Sequence, residues 1–167
     1  MKTTTTLLET IKEGLYQKMI ENFENDGELT PFAYFVVNDE DKTKLIFLMI
    51  EDGLSTPENK ELLGLKIKEM CRNPLVIAAG MVIEAYTISA KMDDPADMAL
   101  MDLIGDKIVN IRDLPERKDA ILMIFATPVS QESIMHIVDV ENKKIKEKID
   151  GSDIGGTFSN FFEFNKN

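Results

Sequence analysis

The sequence predicts an α+β fold, with a mainly antiparallel sheet of about five or six strands and two main helices. Three observations carry this. Helical periodicity is confined to two segments before Pro74, a pair of strand-like runs lies between them, and strand-like runs dominate the remainder. Helices therefore do not alternate with strands as parallel βαβ units require, and the order reads helix, hairpin, helix, long strand, irregular acidic loop, then strands.

In the first segment Leu8, Ile11, Leu15 and Met19 follow a 3-4-4 spacing, and Tyr16, Ile20 and Phe23 widen the same stripe. Thr6-x-x-Glu9 fits a capping box at its start, and Asn25-Asp26-Gly27 supplies residues that tolerate a left-handed conformation at its end. Residues 32–37 and 44–51, rich in aromatic and β-branched side chains, read as a hairpin across the polar stretch 38–42. Ser55-Thr56-Pro57-Glu58 then places a capping hydroxyl before a proline at the first helical position. The helix so opened reaches Arg72, with Leu63, Ile67 and Met70 on its buried face, and Asn73-Pro74 ends it.

Residues 75–90 are apolar on both faces, which predicts a central strand, and Gly80 marks a bend or bulge in it. The stretch 91–119 holds Pro95, Gly105, Pro115 and seven aspartates, and reads as an irregular loop with one short helix near 96–103. Long connections of this kind are commonly functional. Strand character returns at 120–127 and, after the turn Pro128-Val129-Ser130-Gln131, at 133–140, where Ile134, His136, Val138 and Val140 share a face. In 143–149 Lys144, Lys146 and Lys148 alternate with Ile145, Glu147 and Ile149, the chemistry of an edge strand that resists further pairing. Residues 1–150 thus read as one α+β domain, and 151–167 as a glycine-rich linker with a phenylalanine-rich tail that packs on the domain or on a partner.

With 167 residues, of which 44% are hydrophobic and 29% charged, the composition is that of an ordinary globular domain. A net charge of −11 argues against a nucleic-acid binder, because polyanions are held by lysine and arginine neutralising phosphates. One cysteine, Cys71, and one histidine, His136, permit neither an internal disulfide nor a Cys/His zinc site. No apolar secretory core follows Met1-Lys2, and the longest apolar run, 75–83, is about half a membrane span, so a cytoplasmic location and no membrane partner are expected.

No catalytic, cofactor-binding or metal site is assigned from the sequence. Cys71 sits at a helix C-terminus, where the dipole does not favour a thiolate, and His136 lies among apolar strand neighbours. Asp93, Asp94, Asp97, Asp102, Asp106 and Asp113 supply carboxylates, but their spacing lacks the calcium-loop pattern. Glu84 interrupts an otherwise apolar strand and calls for a partner, with Arg72, Arg112 and Arg117 the candidates. Glu84 and Asp97 are therefore the candidate pocket residues. Gly151-x-x-x-Gly155-Gly156-Thr157 lacks the Gly-Lys-Ser/Thr ending of a phosphate loop and reads as a linker. Beyond it, Phe158, Phe161, Phe162 and Phe164 are the candidate interface, because rings of that area do not stay in water.

Asp26-Gly27 followed by Pro31, the long strand after Asn73-Pro74 with Glu84-Ala85-Tyr86, and Leu114-Pro115-Glu116-Arg117-Lys118-Asp119 before another strand form a recognisable layout. It resembles small uncharacterised α+β proteins of bacteria and their phages, departing from them in a longer acidic stretch before Arg117. The resemblance implies a compact α+β domain and no catalytic residue.

The favoured expectation is a non-enzymatic protein-interaction or accessory module that binds a protein partner or self-associates as a homo-oligomer, without a cofactor. The alternative is a small-molecule-binding protein or hydrolase using residues 93–113 with Glu84. A second alternative, resting on the charge alone, is an acidic nucleic-acid mimic.

Overall fold

Near-continuous apolar runs in the strand-forming segments require cover on both faces of a sheet, and the two long helices supply it from opposite sides. The computed structural model describes residues 4–40, 42–50, 54–151, 158 and 160–162. Its strands are β1 (Phe32–Asp39), β2 (Lys42–Met49), β3 (Val76–Thr87), β4 (Lys118–Thr127), β5 (Ser130–Asp139) and β6 (Lys144–Gly151). They form one antiparallel sheet in the order β2-β1-β3-β4-β5-β6. Helices α1 (Thr4–Asp26), α2 (Pro57–Cys71) and α3 (Pro95–Gly105) complete the α+β architecture.

On one face Met19 and Phe23 of α1 pack against Tyr34, Val36, Val82, Ile121, Met123 and Phe125. On the other, Leu63, Ile67 and Cys71 of α2 pack against Phe35, Ala79, Met81, Ile83 and Ile124. Successive residues of β1, β3 and β4 thus serve opposite cores, the period-2 rule applied on both sides.

Helix ends follow local chemistry. Gly27 has φ +76° and donates its N–H to the Phe23 carbonyl at 2.7 Å, closing α1. The Thr56 hydroxyl accepts from the Asn59 N–H at 3.1 Å and Pro57 opens α2. At the other end of α1 the expected capping box is corrected: the helix is already formed at Thr4, and the Thr6 carbonyl accepts from the Thr10 hydroxyl inside it. The buried stripe of α2 is likewise corrected. Cys71 is buried and Met70 is 38% exposed, because the buried face, which also takes in Gly64, is centred between Ile67 and Cys71, and Met70 falls on its far side from Cys71.

The first hairpin turns more tightly than the polar stretch suggested: Asp39 pairs with Lys42, and Glu40 adopts φ +44°. Gly80 is neither a bend nor a bulge, and the irregularity in β3 pairing falls opposite Val36 and Val37. Glycine is required at 80 because a Cβ there would overlap the Ile124 carbonyl oxygen and the Tyr34 ring. The stretch 91–119 is more ordered than an irregular loop. The Asp94 carboxylate caps α3 by accepting from Ala96 and Asp97, and Asn110 caps a short 3-10 turn at Ile111–Asp113.

At the far edge β6 carries the alternating lysines, and a pairing shift between Ile137 and Val138 puts Val138 opposite Ile145. Ile145 thereby packs on the α1 side, the side on which Lys148 lies over the Tyr16 ring. The lysines therefore do not hold one uninterrupted face.

Candidate functional site

The second strand has the sequence of an interior strand and the position of an edge. Leu45, Ile46, Phe47, Leu48 and Met49 are consecutive apolar residues, exposed by 38, 43, 52, 37 and 52%. Phe47 pairs with Tyr34, which puts Leu45, Phe47 and Met49 on the α1 side, while Ile46 and Leu48, opposite Phe35 and Ala33, face the α2 side. Neither helix covers them, since α2 lies over β3 and α1 extends toward β6. One long edge of β2 is hydrogen-bonded to β1, and among the described residues the other has no neighbouring strand in the sheet.

A groove of about 370 Å³ adjoins this edge on the α1 side. Phe47, Met49 and Phe32 form its apolar wall, and Asp26 and Glu28 bring negative charge beside Lys18. Phe32 and Phe47 meet edge-on with ring centroids 5.6 Å apart.

The structure also places the residues singled out in the sequence. Glu84, exposed on β3, accepts the Leu29 N–H at 3.4 Å; Arg117, one of its expected partners, instead lies over the Tyr86 ring at 5.4 Å. Asp97, on α3, accepts the Lys91 N–H at 2.8 Å and so closes the turn leading into the helix. The two carboxylates are thus occupied with separate backbone segments, and neither lines the cavities described here.

In the tail, Phe161 and Phe162 lie in the core on the α2 side, with Phe158 half-buried against it. Gln131 anchors them: its amide N–H donates to the Phe158 carbonyl and its amide oxygen accepts from the Phe161 N–H, both at 3.3 Å. Phe164 and the glycine-rich segment 152–157 lie outside the described residues.

Cys71 is buried, and desolvation pushes its thiol up to about 12, so it is not a ready nucleophile. His136 is buried and far from Cys71 in the fold, on β5 against α1, where its Nε2 is hydrogen-bonded to the Tyr16 hydroxyl. Beside this pair is a cavity of about 60 Å³ walled by Lys12, Tyr16, Phe125, Glu132 and Lys148, room for only a few waters. Burial disfavours the charge on Lys12, but Glu9 and Glu132, at 2.8 and 3.0 Å, more than offset this and raise its pKa.

Among the described residues no group of three histidine, cysteine or acidic side chains is placed to hold a metal ion, and no helix is long and apolar enough to cross a membrane. No family model matches the chain, and no curated protein or solved structure matches it significantly.

The β2 surface was not singled out from the sequence. Its signal was present as five unbroken apolar residues, but a run of that kind is ordinary in a strand buried on both faces, and only the strand order reveals that this one is not.

Proposed function

We propose that the chain is a non-enzymatic protein-interaction module whose binding surface is the open edge of β2. The observation that carries this reading is the exposure of Leu45–Met49 on both sides of an edge strand. Edge strands in proteins that act alone are blunted by charge, proline or brevity, and an exposed apolar edge pairs with another strand. Main-chain hydrogen bonds supply affinity in such pairing, and alternate side chains entering pockets supply specificity. The groove beside Phe47 and Met49 is suited to receive side chains of the incoming strand.

A photoreactive phenylalanine analogue at position 47, incorporated in the living host and irradiated, tests the reading. The expected result is one discrete covalent adduct, absent when the analogue replaces Glu147 on the lysine-bearing edge. No adduct from position 47 would sink the proposal.

A further inference from the structure

Resting on that reading, we infer that the occupant of the β2 edge is an extended segment of another protein that runs antiparallel to β2. It carries a Lys or Arg opposite Met49, apolar side chains opposite Leu45 to Leu48, and acidic side chains opposite Lys44 and Lys42.

The charges beside this edge are segregated by face and by end. Leu45, Phe47 and Met49 share the α1 side, and there the groove brings Asp26 and Glu28 to the Met49 end. Both carboxylates are exposed and, among the described residues, neither forms an ion pair, whereas Lys18 is held by Glu21 at 3.5 Å. Alternation puts Lys42 and Lys44 on the α2 side at the opposite end, where Lys44 reaches Asp39 at 3.5 Å.

Directly opposed residues of an antiparallel pair project to the same face. The residue opposite Met49 therefore points to the α1 side, about 4.8 Å beyond Met49 in the sheet. Only a long side chain crosses Met49 to the carboxylates, and Lys and Arg do so with the stem on apolar surface and the charge in water. Two residues further along the segment an apolar side chain lies against Phe47, while its neighbours meet Leu48 and Ile46 on the α2 side. The last α2-side positions face Lys44 and Lys42, where carboxylates complement the ammonium groups. Antiparallel pairing is also the more stable per residue.

The two sheet edges of this chain do not supply such a segment. β2 contains no acidic residue, and antiparallel β6 would set its alternating lysines against the apolar run. The occupant therefore belongs to a different protein.

Two blocked octapeptides, RVFVVETE and its charge-swapped counterpart EVFVVRTR, test this by titration against the isotope-labelled full chain, read from amide chemical shifts. RVFVVETE is expected to perturb the β2 amides and to bind roughly fivefold more tightly than EVFVVRTR. A net charge of −11 favours the second peptide at long range, so the expected order arises only from the local pattern. Asp26→Lys combined with Glu28→Lys, both at exposed positions, should remove the preference while the amide spectrum away from the groove stays that of the parent. A nitroxide at the amino terminus of RVFVVETE should broaden the amide of Met49 and spare that of Lys42.

Equal binding of the two peptides, no perturbation of β2 by either at millimolar concentration, or broadening at Lys42 in place of Met49 would each overturn the inference. The photo-adduct from position 47 separates this failure from that of the interaction-module reading. An adduct of twice 18.9 kDa, about 38 kDa, would give the edge to a second copy, leaving that reading in place and overturning the inference. No adduct would remove both.

Discussion

Tyr34 on β1 donates its phenolic hydrogen to the carbonyl oxygen of Ile124 on β4, 2.8 Å away, although β3 lies between these two strands. The reach is possible because the intervening residue on β3 is Gly80, which leaves the space the ring occupies. Tyr34 is fully buried, so this bond satisfies a hydroxyl that would otherwise lose water without compensation.

Tyr34→Phe is accordingly expected to lower the free energy of unfolding by about 1–3 kcal/mol, measured by urea denaturation. Gly80→Ala should cost at least as much, since its Cβ would press on the backbone oxygen of Ile124 as well as on a side chain. A Gly80→Ala protein as stable as the parent would contradict the close approach.

Alkaline pH should destabilise the protein through two buried acids. Desolvation at its fully buried site, with the Glu132 charge adding to it, holds the Tyr34 phenol well above its ordinary value of 10.0, and desolvation raises the Cys71 thiol from 9.0 to about 12. In both cases the folded pKa exceeds the unfolded one, so the folded state retains protons that the unfolded state releases. The stabilisation is complete below the unfolded values and is lost as pH rises above about 9 for the thiol and about 10 for the phenol. The urea midpoint should therefore fall from pH 9 to 11, and Tyr34→Phe should flatten the part of that decline above pH 10.

The same burial governs reactivity. In the native state at pH 8 Cys71 is expected to react with an aromatic disulfide reagent far more slowly than in guanidinium, because the thiolate is both disfavoured and shielded. Rapid native labelling would show that the α2 face opens readily.

Phe161 is fully buried, and Phe161→Ala should destabilise the protein by about 3–5 kcal/mol. Gln131→Ala removes both side-chain hydrogen bonds to the tail while leaving Phe161 in place. It should accelerate limited proteolysis after residue 151 with a smaller loss of global stability. Unchanged proteolysis would mean that the phenylalanines anchor the tail without Gln131.

Much of this architecture was legible in residues 1–150, for reasons particular to each element. The stripe through Leu15, Met19 and Phe23, the Thr56-Pro57 cap and the Gly27 stop are local signals, set within a few residues by helical period and backbone preference. The α+β class followed from the order of such segments. Gly80 was misread because its need arises from Tyr34 and Ile124, and the latter two are 90 residues apart in sequence. Glu84 drew attention as a carboxylate in an apolar strand, but its hydrogen bond to the Leu29 N–H depends on how α1 returns to the sheet. Phe161 and Phe162 were visible as apolar area, while their place on the α2 side depended on Gln131 in a distant hairpin.

The period-2 spacing of side chains by itself determined which residues of each strand share a face, because side-chain direction is a local property of extended backbone. It also determined that β6 carries an edge's lysines. Only the tertiary structure decided that β1 pairs with β3 on its second side and leaves β2 outermost. Periodicity records that a strand's faces are apolar but not what covers them, and the neighbour of a strand is chosen by packing between segments far apart in the chain. The exposed run Leu45–Met49 exists because those two levels meet at β2: an interior sequence has been placed at a margin by the rest of the sheet.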